Sequence, residues 1–205
     1  SGDTTASARE ADPQNELLHH YPLRRLEGES LRDTILLTSG KLQDSMFGPS
    51  IHPHRAQAKD YRRLFSGPLD GEGRRSIYMK VTRMEGARFL ETFDYPSLMS
   101  SRGKRDVTNV PAQALAMLND PFVVSLADQW ARRLVAEDHP TPESRIEQMF
   151  VRALGRFPHK GESSRWVELA RGVSGDGSDP LITDRVAWKN VAHTLLNTKE
   201  FIHYR

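Results

Sequence analysis

Residues 119–136 constrain the fold more than any other stretch of the chain. Asn119-Asp120-Pro121 ends one apolar run and starts another. The Asp120 carboxylate is suited to accept amide hydrogens at a helix start, and Pro121 at the first helical position has no amide hydrogen to leave unpaired. Behind this cap Phe122, Leu126, Trp130 and Leu134 recur every four residues, with Val123, Ala127, Ala131 and Val135 beside them. Two adjacent series at that spacing form an apolar stripe wide enough to face several neighbours. The spacing therefore predicts a central helix, which the rest of the chain must cover.

The covering elements announce themselves in the same way. Pro111 opens a helix carrying Ala112, Leu115, Ala116 and Leu118, and Thr141-Pro142-Glu143 opens another carrying Ile146, Met149, Phe150, Ala153 and Leu154 up to Gly155. Trp166, Leu169 and Ala170 mark a third, residues 172–180 read as a flexible loop, and Val186, Trp188, Val191, Leu195 and Leu196 mark a last helix. Earlier, Leu23, Leu26, Leu31, Ile35 and Leu42 predict a helix after Pro22 that ends near Gly40. On its solvated face Arg25 and Glu29 read as an attractive pair four residues apart, and Glu29 and Asp33 as a repulsive one. Pro49, Pro53, Pro68 and the glycines at 67, 71 and 73 make residues 49–73 a long surface excursion. Ile77, Met79 and Val81 then alternate with Tyr78, Lys80 and Thr82, Glu85-Gly86 supplies a turn, and Phe89 and Phe93 share a side. That pattern predicts an antiparallel β-hairpin over about residues 76–93. The expected fold is mainly α, a helix bundle with this small hairpin, with residues 13–205 as one domain and residues 1–12 as a disordered or appended lead-in.

Composition removes several functions. Twenty-nine basic residues against 27 acidic ones leave a net charge of +2, without the broad basic stripe and stacking aromatics of a nucleic-acid binder. The 205 residues contain no cysteine, so disulfides, thiolate metal sites, cysteine nucleophiles and thioether-linked haem are excluded from this chain. No apolar run approaches the length of a transmembrane helix. Nucleophile elbow, phosphate loop, zinc-protease pair and calcium loop are all missing, since Gly175-Asp176-Gly177 lacks the ligand pattern that would follow it.

The segments DPQNELL, RRLEGESLRDTILLTSGKL, GPSI, RRSIYMKVTR, FLETFDYP, RDVTNVPAQALAMLNDPFV, ALGRFP and AWKNVAHTLLNTKEF occur in that order along nearly the whole chain. Together they resemble a planctomycete-specific C-terminal domain of unknown function. The resemblance implies an accessory domain closing a large exported bacterial protein, preceded by a cytochrome c-like module and a second uncharacterised domain. It implies an extracytoplasmic setting, periplasmic or cell-surface, and places any haem c on the upstream module, with no cofactor in this chain. The expected partners are those upstream modules and, secondarily, a polysaccharide. No catalytic residue is carried over. Two departures stand out: Phe157-Pro158-His159-Lys160 replaces a common threonine cap, and residues 49–73 match no phrase of the family.

The residues themselves offer three candidate chemistries. His52 and His54, one residue apart, are weak metal ligands without a third partner, and the expectation is no metal. Glu27, Glu29, Asp33 and Asp94 raise the paired-carboxylate chemistry of a polysaccharide-linked hydrolase, or of an oxidoreductase component completed elsewhere. Arginine supplies 22 of the 29 basic residues, and Arg102, Lys104 and Arg105 cluster ahead of Pro111, which raises binding of anions or sulfated glycans. Trp130, Trp166 and Trp188 sit in apolar stripes and read as packing rather than sugar platforms. The candidate polar network comprises Arg25, Glu29, Arg32, Asp94, Arg102, Arg105 and Asn119, with Asp94 and Arg105 expected to be partly buried partners. No catalytic residue is named, and the favoured reading is an interaction domain rather than an enzyme.

Overall fold

The computed structural model describes residues 5–55, 65–82, 86–97, 99, 101, 103–174 and 181–204. Its helices are α1 (Ala6–Ala11), α2 (Gly28–Ser39), α3 (Arg88–Thr92), α4 (Pro111–Asn119), α5 (Pro121–Ala136), α6 (Pro142–Leu154), α7 (Glu162–Gly172), α8 (Arg185–Leu196) and α9 (Lys199–Ile202). Strands β1 (Arg24–Arg25) and β2 (His203–Tyr204) pair antiparallel, Arg24 opposite Tyr204 and Arg25 opposite His203.

The capped stripe forms the centre of the molecule. The Asp120 side chain accepts from the Phe122 amide at 2.9 Å, and α5 buries Val123, Ala127, Trp130, Ala131 and Leu134 completely. Its principal neighbour is α8, which buries Ala187, Trp188, Val191, Ala192 and Leu195. Alanines on both helices allow close approach, while the two indoles fill the remaining volume. Trp188 Nε1 finds the Leu181 carbonyl at 2.8 Å. Helices α2 and α4 pack on α5, with α3 bridging them, and α6, α7 and α9 gather on α8. Phe89, Phe93 and Phe122 stack in series at 5.0 and 5.3 Å where α3 meets α5. A Cβ on Gly28 would lie 3.1 Å from that of Phe93, so a glycine at the first position of α2 lets it sit tightly on α3.

Local capping explains the helix ends. Gly40 and Gly155 stop α2 and α6 in the left-handed conformation. Thr141 and Ser144 form a reciprocal capping box. Where the threonine cap is missing, Gly161 precedes α7 without a capping side chain, and the Glu162 carboxylate instead accepts the His159 amide at 2.9 Å. The lead-in carries α1, which is capped by Thr5 and has no buried residue between Ala6 and Ala11, whereas Asp12 after it is buried. Among the described residues no helix is long and apolar enough to cross a membrane.

The small antiparallel pair lies elsewhere than the alternation suggested. Ser76–Tyr78 is a 3-10 turn, Met79 bridges to Ile51 in parallel, and Arg88–Thr92 is helical. Two physical facts account for this. A spacing of four, as between Phe89 and Phe93, satisfies helical periodicity as well as strand periodicity. Backbone groups that a hairpin would pair are taken elsewhere: the Ile51 amide donates to the Tyr78 carbonyl at 2.9 Å, the Lys80 amide donates to the Ile51 carbonyl at 2.7 Å, and Asp33 of α2 accepts both the amide and the hydroxyl of Ser76 at 2.7 Å. The excursion at 49–73 is likewise more than surface, since Ile51, Pro53 and Arg55 are buried and Gly67 donates to the Pro53 carbonyl. Residues 56–64, and residues 175–180 of the loop after α7, lie outside the described residues.

Candidate functional site

Asp94 is the hub of a polar seam between β1, α3 and α4. It follows α3 in the left-handed conformation (φ +64°), which turns its carboxylate back toward the start of α4. There Thr108 donates its amide to Oδ2 and its hydroxyl to Oδ1, both at 2.8 Å, and Gln113 Nε2 reaches Oδ2 at 3.4 Å and the Thr108 hydroxyl at 3.0 Å. From the other side Arg25 Nη2 meets Oδ2 at 2.5 Å. The Leu26 amide, bonded to the Ile202 carbonyl at 2.8 Å, holds β1 in place, and the Arg25 guanidinium stacks 5.4 Å from the Phe93 ring. Partial burial pushes the Asp94 carboxyl up, but the Thr108 hydrogen bonds and the Arg25 charge outweigh it, and the net direction is down. A carboxylate held this way accepts hydrogen bonds and has no proton to deliver at neutral pH.

Arg105, expected to partner Asp94, belongs to a second cluster. It pairs with Glu27 at 3.0 Å and with Glu29 at 2.9 Å, and its guanidinium lies 6.0 Å from the Tyr95 ring. The hydrogen bond to Glu29 is the main reason its pKa rises. Arg105 is exposed rather than partly buried. The correction has a simple origin. Arg25 lies in a strand rather than on α2, so it makes no four-residue pair with Glu29 and is free to reach Asp94. Glu29 then takes Arg105, while Asp33 lies 3.6 Å from Arg75, so each of the two like charges on α2 has its own arginine.

Two further candidates stand apart from this seam. Arg32, 3% exposed, points to the carbonyls behind α2, where burial depresses its pKa against the pull of Asp33 and Asp70. Asn119 donates its side-chain amide to the Leu115 carbonyl at 3.1 Å, within its own helix. Arg102 lies outside the described residues. His52 meets the Phe65 ring edge at 5.5 Å and His54 Nδ1 contacts the Gly67 carbonyl at 3.2 Å. Among the described residues no three His, Cys, Asp or Glu side chains gather as a metal site.

Beside the seam, α2 and residues 75–81 enclose an open groove of about 650 Å³. Leu37 is 62% exposed and Ile77 79% exposed in its lining, next to Leu42 and Val81, with Glu29, Asp33 and Asp44 at the polar side. A second cleft of about 500 Å³ opens between residues 53–55, α3 and the start of α5. Sequence reasoning missed Thr108 and Gln113 as Asp94 partners, and it placed Ile77 in a packed strand. An amide side chain at the third position of a helix opened by Val110-Pro111, with no capping side chain ahead of it, was the available signal for Gln113. Nothing local marked Ile77 as exposed.

The family model described as PSD1, protein of unknown function (DUF1553), matches residues 1–170 of the chain. No curated protein and no solved structure shows a significant match.

Proposed function

The chain belongs to this family of proteins of unknown function, and on that premise we propose that it is an accessory interaction domain that docks a polypeptide partner in the groove between α2 and residues 75–81. The observation that carries the reading is the uncovered apolar floor of that groove, Leu37 and Ile77 above all, set beside carboxylates. Folding leaves such apolar surface in the open at a free-energy cost, and contiguous apolar surface rimmed by charge marks interaction sites. Of the carboxylates that line the groove, Glu29 is paired with Arg105 and Asp33 with Arg75, while Asp44 has no cationic partner among the described residues, so the matching occupant is a segment with apolar side chains and a Lys or Arg set to meet Asp44. We place that segment in the upstream modules of an exported, cytochrome-associated parent protein, a setting that rests on the family resemblance alone. Hydrolysis or oxidation of a polysaccharide is less well supported. The carboxylates nearest the seam are engaged by arginines, Asp94 by Arg25 and Glu29 by Arg105, and Asp94, its carboxyl held down by the Thr108 hydrogen bonds and the Arg25 charge, is not poised to protonate a leaving group.

The test mixes this chain with the separately produced upstream portion of its parent polypeptide and follows sedimentation at about 50 μM of each, well above the dissociation constant of a micromolar complex. A one-to-one complex is expected, and the Leu37→Asp/Ile77→Asp double variant should abolish it with an unchanged far-UV spectrum, since both side chains are exposed. Absence of a complex, or its survival in the double variant, refutes the assignment.

A further inference from the structure

One wall of the docking groove is the helix α2, and the other is a piece of extended backbone with one edge in use and one edge free. Met79 in that wall is extended (φ −72°, ψ 127°) and lies opposite Ile51 in a parallel bridge. Ile51 spends both of its backbone groups there. Its amide donates to the Tyr78 carbonyl at 2.9 Å, and its carbonyl accepts from the Lys80 amide at 2.7 Å. Extended backbone presents its polar groups to opposite sides at successive residues, so the Met79 carbonyl and the Val81 amide point away from Ile51.

The edge turned away from Ile51 is the one beside the groove. Met79 and Val81 line the groove, whereas Ile51, Tyr78 and Lys80 do not. The amide of Met79 is closed on the Ser76 carbonyl at 3.0 Å by the 3-10 turn. Among the described residues, neither the Met79 carbonyl nor the Val81 amide has a hydrogen-bond partner, and Val81 is 47% exposed. One acceptor and one donor two residues apart repeat, one residue further along, the pair that Tyr78 and Lys80 offer to Ile51. A single residue of an incoming strand can therefore use both, as Ile51 does on the other edge.

We propose that the segment docked in this groove binds as an extended β-strand added to the Met79–Val81 edge, an inference that rests on the docking reading above. The main chain of the segment donates to the Met79 carbonyl and accepts from the Val81 amide. Its side chains alternate in direction, so every second residue faces the apolar floor at Leu37 and Ile77. Main-chain pairing supplies affinity that is indifferent to sequence, while the apolar floor and Asp44 select which strand fits.

The test uses the full chain and the separately produced upstream portion of its parent polypeptide. Val81→Pro deletes the amide hydrogen and nothing that the free chain bonds, and proline is tolerated on an exposed strand edge. It should weaken the complex by about tenfold, the scale of one lost hydrogen bond at an interface, while Val81→Ala, which keeps the amide, should weaken it by less than about threefold. Hydrogen exchange of the unsubstituted chain reads the same bond without a mutation: the Val81 amide should exchange freely alone and be protected at least about tenfold in the complex. Val81→Pro binding as tightly as the parent chain, an equal loss in Val81→Ala, or an unprotected Val81 amide in the complex would overturn the proposal. A complex that needs Leu37 and Ile77 but not the Val81 amide removes the strand geometry and leaves the docking reading standing, whereas absence of any complex removes both.

Discussion

Replacing Asp94 by Asn removes one charge and almost nothing else. Asparagine accepts the left-handed conformation that Asp94 adopts (φ +64°), so the backbone is not penalised. The amide oxygen can occupy the Oδ2 position, facing Arg25 and the Thr108 amide, while the new NH₂ points at the Thr108 hydroxyl, which already accepts from Gln113 at 3.0 Å. What is lost is the ionic character of two short bonds and the counter-charge of Arg25, whose side chain is only 6% exposed. Hydrogen bonds to charged groups contribute roughly 1.5 to 3 kcal/mol, and stranding a buried partner raises the cost toward about 3 to 5 kcal/mol. Because Asn keeps the geometry, the expected loss is about 2 to 4 kcal/mol. Urea unfolding at neutral pH, followed by fluorescence of the three tryptophans, measures it. A double-mutant cycle with Arg25→Met should show about 1 to 3 kcal/mol of coupling, whereas a cycle with Arg105→Met should be additive within about 0.5 kcal/mol. A loss below about 0.5 kcal/mol, or coupling to Arg105 instead of Arg25, would refute the reasoning.

Gly73→Ala should destabilise the chain by more than about 1 kcal/mol in the same assay, because φ is +74° and a Cβ would stand 2.1 Å from the Lys41 carbonyl oxygen, a backbone atom that cannot swing aside. Acid should unfold the protein through its paired carboxylates. Burial pulls Asp94, Asp128 and Glu137 up but their hydrogen bonds and arginines bring them down, whereas for Glu162 and Glu200 the hydrogen bond to Arg156 leads. Their folded values lie below the unfolded ones, so the unfolded chain binds more protons in between. The stabilisation is complete above about pH 4.5 and is lost as pH falls through the folded values. The melting temperature should therefore hold between about pH 7 and pH 5 and drop steeply below about pH 4; a melting temperature that rises on acidification would contradict the sign.

What the sequence determined by itself is the helical frame. The stripe from Phe122 to Leu134, the Asp120 cap, the prolines at 111, 121 and 142 and the glycine stops at 40 and 155 act within one or two turns of backbone, so they are legible without knowing what lies across the core. Membership of the polar seam was legible in part: Asp94 was read as a staple, and Arg25, Glu29 and Arg105 were named with it. Which arginine meets which acid was not. Residues 25 and 94 are brought to 2.5 Å by the pairing of β1 with β2 and by the turn after α3, and no local spacing encodes a distance set by elements so far apart. The segment 76–93 shows the same limit from the other side. Its four-residue aromatic spacing fits strand and helix alike, and distant groups decided the outcome: Asp33 of α2 takes the amide and hydroxyl of Ser76, and Ile51 takes the Tyr78 carbonyl and the Lys80 amide. Apolar residues at Leu37 and Ile77 remain uncovered for a related reason: periodicity says which side chains can share a face, but only the packed structure decides whether another element arrives to bury it.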